Sequence, residues 1–182
     1  KPIFVIADNV YNQLCYVDTC PDLTLDPELK DQLILCQSFS KPYAMTGWRL
    51  GYLGGPEVVT EKLLLLHAAI LASVPTFIQD AGITALSVSV SDMASTYARR
   101  REFVCRRLTE MGLSFPEPKG AFYVFPSIAS TGLTSDEFCT QLLEKKQVAC
   151  VPGTAFGASG EGHIRCSYAT SIEKLGEALK RI

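Results

Sequence analysis

The chain has 182 residues, of which 47% are hydrophobic and 20% charged. That balance belongs to a folded globular chain, long enough for one or two domains that bury roughly 70% of the unfolded surface, and excludes a disordered one. A formal net charge of -2 gives no electrostatic reason to bind nucleic acid or anionic lipid.

The chain has no initiator methionine and opens on KPIFVIAD, a buried strand arriving without preamble, so it reads as the later part of a longer protein. Ile3 to Ala7 is continuously apolar and stops at Asp8, the pattern of a strand covered on both faces. Leu33 to Gln37, stopping at Ser38, repeats it. Leu50 to Leu53, closed by Gly54, Gly55 and Pro56, is a third strand, and the three predict a layered α/β sheet.

From Glu57 to about Ala72 nearly every position is apolar or small, which predicts a buried helix. Within it, Leu63 to Leu71 is the longest apolar stretch, but His67 interrupts it and it falls short of a membrane span, so no membrane partner is expected. After Pro75 a second helix runs from about Thr76 to Leu86. Ser91 then caps a long helix that sets Met93, Tyr97, Val104, Leu108 and Met111 on one face and stops at Gly112, a natural connector between domains. Its basic run, Arg99 to Arg101 with Arg106 and Arg107, reads as a solvated face.

A compact α/β alternation follows. GAFYVF (Gly120 to Phe125) is a strand, and Thr134 with Glu137 forms a capping box for a helix to about Lys146. Val148 to Val151 and His163 to Tyr168 are strands. Thr170 with Glu173 forms a second capping box, for a helix carrying Ile172, Leu175, Leu179 and Ile182.

The seven cysteines (15, 20, 36, 105, 139, 150 and 166) show neither CxxC nor Cys/His metal spacing. They favour a reducing compartment, and a cytoplasmic protein without a disulfide framework is expected. His67 and His163 have no histidine at metal spacing, so no metal is expected. GTAFGASG lacks the lysine of a phosphate loop. Trp48 reads as packing.

Chemistry concentrates in SFSKPYAMTGWRLGY, Ser38 to Tyr52. Lys41 follows a strand at the carboxyl edge of an α/β sheet, the usual ligand crevice, where an amine of lowered pKa can form a Schiff base. Most lysines after strands are merely exposed, but Arg49 stands eight residues on, and a guanidinium there can clamp a phosphate at two points. Asp8 ends the first strand and can face the same crevice, with Tyr11 three residues later.

This stretch resembles the lysine signature of the class I and II aminotransferases, the fold family of aspartate aminotransferase, which uses pyridoxal 5'-phosphate. ADNVY (Ala7 to Tyr11), PKGAFYVFP (Pro118 to Pro126) and VPGTAFGASGEGHIRCSYA resemble further family elements in the family's order. The resemblance covers nearly the whole chain; Asn9, where the family more often has glutamate, departs from it.

The resemblance implies that Lys41 holds the cofactor as a Schiff base and moves the proton at the substrate α-carbon. It implies that Asp8 pairs with the pyridine nitrogen, Tyr11 with the phenolic oxygen, Ser38 and Arg49 with the phosphate, and Arg165 with the substrate α-carboxylate. It also implies residues 1–90 as the carboxyl-terminal part of a large three-layer cofactor domain and residues 91–182, connecting helix included, as a small α/β domain. The family's amino-terminal half supplies a phosphate loop, a stacking aromatic and an asparagine, and the family site lies at a homodimer interface. The expected activity is amino transfer between an amino acid and a 2-oxo acid, with little turnover from this chain alone. Carbon-sulfur lyase or decarboxylase chemistry on the same residues, or a non-catalytic folding or dimerisation module, are the alternatives. The substrate amino acid is not fixed.

Overall fold

The computed structural model describes residues 3–182, so Lys1 and Pro2 of the opening strand lie outside the described residues. The chain is α/β, as expected, and separates into two units, one running to Asp92 and one from Met93 to Ile182. Among the described residues no helix is long and apolar enough to cross a membrane.

The first unit is built on β1 (Val5–Asp8), β2 (Leu33–Ser38) and β3 (Gly51–Gly54), side by side in that order. β1 and β2 are parallel, with Val5 opposite Leu33 and Asp8 opposite Cys36. β3 returns antiparallel to β2, with Ser38 opposite Gly51. The crossover from β1 to β2 is made by short 3-10 turns rather than an α-helix. Asp22 and Asp26 cap these turns, each accepting the N–H two residues on at 2.9 Å, and Pro27 occupies a first-turn position where its missing N–H costs nothing. Ala7, Leu14, Leu33, Phe39 and Ala85 are the buried apolar residues of this unit.

Two helices follow, α1 (Glu57–Leu71) and α2 (Thr76–Leu86). The run predicted as a buried helix is a helix, but no residue of α1 is buried, and Leu64 is 68% exposed. The first strand departs in the same way, since only one face of β1 is covered and Ile6 is exposed. The physical reason is common to both: the unit has no layer of its own to lay over these apolar faces.

The second unit holds most of α3 (Ser91–Glu110), then β4 (Tyr123–Val124), α4 (Ser135–Lys146), β5 (Val151–Pro152), β6 (Ile164–Ser167) and α5 (Ile172–Arg181). β6 is the middle strand, antiparallel to both β4 and β5. Val104 and Leu108 of α3, Val124, Ile128, Ile164, Tyr168, and Leu175 and Leu179 of α5 are buried in it. The four-residue spacings in α3 and α5 put each pair on one helix face.

The strands here are shorter than predicted because prolines interrupt the ladders. Pro126 and Pro152 both fall in register with Ile164, and neither can donate a ladder bond. Pro126 still accepts the Ile164 N–H at 3.1 Å. Val148 belongs to a helix end instead of a strand: Gln147 takes a left-handed conformation and the Val148 N–H turns back to the Leu142 carbonyl at 3.4 Å. The capping box at Thr134 and Glu137 forms in both directions. The second box does not form. Ser171, not Thr170, is the cap and accepts the Lys174 N–H at 3.3 Å, so the box position three residues on is Lys174 and not Glu173.

Candidate active site

Strand direction gathers the candidate residues of the first unit. Because β1 and β2 are parallel, their carboxyl ends share one sheet edge, and antiparallel β3 begins at that same edge. Asp8 is the last residue of β1 and Ser38 the last of β2; Lys41 follows Ser38 by three residues, and Arg49 precedes Gly51, the first residue of β3, by two. Tyr11 lies in the turn after Asp8, where its carbonyl accepts the Leu14 N–H at 2.8 Å.

The segment between β2 and β3 is held by its own backbone. Beyond the last strand pair, the Phe39 N–H donates to the Leu50 carbonyl at 3.1 Å, so the two chains stay zipped at the edge. The Phe39 carbonyl accepts the N–H groups of Tyr43 and Met45, at 3.3 and 3.4 Å, and the Lys41 carbonyl accepts that of Ala44 at 3.4 Å. Lys41 thus sits on a closed turn, half-buried, between buried Phe39 and buried Pro42. The Ser38 hydroxyl accepts the Ser40 N–H at 3.1 Å, which fixes its rotamer at the edge.

Arg49 is a non-glycine residue in the left-handed region, with φ of 52°. Such a conformation costs of order 1 kcal/mol or more and persists only where surrounding structure over-determines it. Its guanidinium donates from Nη1 to the Thr46 carbonyl at 3.0 Å, which turns the fork back over the segment that carries Lys41. At Asp8 the carboxylate is exposed, and Oδ1 accepts the Val10 N–H at 3.4 Å. An amine, a carboxylate, hydroxyls and a guanidinium therefore share one edge. That donor set matches an aromatic aldehyde with a ring nitrogen and a phosphate: amine to carbonyl carbon, carboxylate to ring N–H, guanidinium and hydroxyl to phosphate.

Arg165 belongs to the second unit. It lies on the middle strand β6, and its guanidinium carbon is 4.5 Å from the ring centres of both Tyr123 and Phe156. Two aromatic faces hold the planar fork by cation-π attraction and leave its N–H edge for an anion. Among the described residues no carboxylate pairs with it.

Phe156 is carried by GTAFGASG, in which Gly153 and Gly160 serve close packing. A Cβ on Gly153 or Gly160 would run into the other's backbone. His163 stacks on Phe125, with ring centres 5.4 Å apart and planes 10° apart. No group of histidine, cysteine and carboxylate residues suited to a metal occurs among the described residues.

Sequence reasoning missed Tyr123 and Phe156 as the partners of Arg165. The signal available was the aromatic content of GAFYVF and GTAF, but pairing them needs the β4–β6 register. It also missed Gly51, where a Cβ would stand 2.7 Å from the Gln37 carbonyl oxygen. Trp48, read as packing, is 44% exposed at the end of a 3-10 turn, Thr46–Trp48, none of whose residues is buried.

The family model for aminotransferase class I and II matches residues 1–182. The chain is 46% identical to an aspartate aminotransferase of Pyrococcus horikoshii over 99% of its own length and 47% of that protein's. It is 43% identical to aromatic-amino-acid aminotransferase 2 of Thermococcus litoralis, over 99% of this chain and 48% of that one. The crystal structure of an aspartate aminotransferase from Thermotoga maritima superposes with a TM-score of 0.93 at 40% identity, over 98% of this chain and 46% of that one. The chain spans about half the length of the curated relatives it matches.

Proposed function

This chain belongs to the class I and II aminotransferases, and on that premise we propose that the whole protein binds pyridoxal 5'-phosphate at the carboxyl edge of the β1–β2–β3 sheet and transfers an amino group between an amino acid and a 2-oxo acid. The observation that carries this reading is the shared edge at which β1, β2 and β3 present Asp8, Ser38, Lys41 and Arg49.

When bound, the cofactor supplies an electron sink for the bond that breaks at the substrate α-carbon. Each residue of this chain then has a task that its chemistry suits. Lys41 anchors the cofactor through Nζ and afterwards moves a proton at the α-carbon, which requires an amine that can lose its own proton. Asp8 keeps a proton on the ring nitrogen by charge pairing. Tyr11 hydrogen-bonds the phenolic oxygen. Ser38 and Arg49 bind the phosphate, Arg49 with two parallel donors. Arg165 takes the substrate α-carboxylate, and its aromatic sandwich fixes the plane in which that carboxylate binds, which orients the α-carbon as well as holding it.

The uncovered apolar faces of α1 and β1 support a second part of the proposal. In the whole protein these faces are covered by polypeptide outside this chain, either from the remaining length seen in relatives or from a second copy.

The test is to add pyridoxal 5'-phosphate, reduce with borohydride and map the modified lysine, with Lys41→Ala as control. Label confined to Lys41, together with visible absorbance lost in Lys41→Ala, is the expected result. Label spread over several lysines and unchanged in Lys41→Ala would overturn the anchor assigned to this chain.

A further inference from the structure

On the face of β6 away from Arg165 lies a pair of thiols that the proposed transfer chemistry does not use. Side chains alternate along a strand, so Arg165 and Cys166 point to opposite sides of the small sheet. Arg165 faces Tyr123 and Phe156, whereas Cys166 packs against the core cluster of Ile128, Cys139 and Ile164. Val151 pairs with Arg165 across β5 and β6, and one further step along the register sets Cys150 opposite Cys166. Their sulfurs are 3.6 Å apart, and both side chains are half-buried.

A cavity of about 290 Å³ reaches this pair, lined by Val124, Cys150, Cys166, Ser167, Leu175 and Leu179 among others. Opposed residues of an antiparallel pair have Cα atoms about 4.5 to 5.5 Å apart, within the span a disulfide accepts. The register, extended by one residue, therefore suits a bond between the two sulfurs, 3.6 Å apart.

We propose that Cys150 and Cys166 form a reversible dithiol–disulfide couple, oxidised by a small-molecule disulfide, that ties β5 to β6 behind Arg165.

In the first step the Cys150 thiolate attacks one sulfur of the small disulfide. A mixed disulfide forms and one thiolate leaves. In the second, Cys166 attacks the Cys150 sulfur; the intramolecular disulfide forms and the second small thiolate leaves. Two thiols of the chain lose two electrons, one small disulfide becomes two thiols, and those two products carry away the two protons.

Either sulfur can donate in the hydrogen bond between them; with Cys166 as the donor the thiolate is favoured at Cys150, which makes Cys150 the first to attack. Once Cys150 is in a mixed disulfide it no longer offers a thiolate acceptor, so Cys166 loses the partner that held its proton. Cys139, the third thiol of the cluster, is pushed up to about 11, chiefly by burial, and is a poor competitor at neutral pH.

The experiment equilibrates the reduced 182-residue chain in glutathione buffers of graded thiol-to-disulfide ratio, traps free thiols by alkylation and maps linked peptides. The expected product is a Cys150–Cys166 link, formed at a ratio about tenfold more reducing than in the guanidinium-unfolded chain. Cys139→Ser should keep it. Cys166→Ser should stop at a glutathione adduct on Cys150. A persistent glutathione adduct on Cys150 with Cys166 intact, a predominant link through Cys139, or a native chain no easier to oxidise than the unfolded one would each overturn the proposal.

Discussion

Gly51 and Gln37 meet across β2 and β3 so closely that a Cβ on Gly51 would stand 2.7 Å from the Gln37 carbonyl oxygen. That carbonyl belongs to the backbone and cannot swing aside, so any side chain at position 51 must push the strands apart. Gly51 is itself opposite Ser38 in the register, so this contact lies at the edge that carries Lys41 and Arg49.

Gly51→Ala is therefore expected to destabilise the chain by about 1–3 kcal/mol, the range for an overpacked site, and to weaken labelling of Lys41 in the borohydride experiment. Gly47→Ala is the control, since a Cβ there meets nothing within 4 Å, and its effect should stay within about 0.5 kcal/mol. Urea unfolding of the two variants beside the parent chain measures both. Equal effects would remove the steric argument.

The legible parts of the sequence were those with a local physical cause. Asp8 and Ser38 could be assigned to one edge because strands that end at a polar residue announce their own termini, Arg49 by its eight-residue spacing from Lys41 just before the third strand, and Thr134 with Glu137 predicted a cap whose bonds span only one turn. What could not be read depended on partners distant in sequence. Whether Leu64 is covered depends on a layer that this unit does not contain. The lengths of β4 and β5 depended on Pro126 and Pro152 falling opposite the same residue, Ile164. The pairing of Arg165 with Tyr123 and Phe156 needed the register of the whole second sheet. Thr170 and Ser171 are both good caps in isolation, and the one-residue choice between them followed from where the chain leaves β6.

The second unit should lose stability in acid through depressed carboxyl groups, Glu137 and Glu161 among them. The Thr134 N–H and hydroxyl donate to Glu137 Oε2 at 3.0 and 2.8 Å, and this bonding, the backbone donor first, holds the Glu137 carboxyl below its usual range. Glu161 Oε1 accepts the N–H groups of Ser135 and Gly162 at 2.8 and 3.0 Å, with the same sign and the Ser135 N–H as the leading cause. A folded value below the unfolded one, about 4.3, means the contribution is complete above that pH and is lost as pH falls through the lower folded values. Melting temperatures of the parent chain and of Glu161→Gln, followed from about pH 6 to about pH 3, should converge as the solution becomes acid. Curves that stay parallel would show that the glutamate charge contributes nothing there.

The exposed leucines of α1 invert the usual rule for apolar residues in a helix. In a helix with a buried face, Leu→Glu leaves an unpaired charge in the core and costs several kcal/mol. Leu64 and Leu65 are 68% and 67% exposed and no residue of α1 is buried, so Leu64→Glu and Leu65→Glu should change the stability of this chain by no more than about 0.5 kcal/mol. An apolar face of this kind also drives association. The same substitutions should therefore reduce self-association in sedimentation while leaving the urea midpoint where it was. In the whole protein, on the proposal that outside polypeptide covers the helix, the identical changes should cost about 3 kcal/mol or more. A large loss of stability in the 182-residue chain would mean that α1 is packed within it, and the apolar face would then no longer support the proposal that outside polypeptide covers this unit.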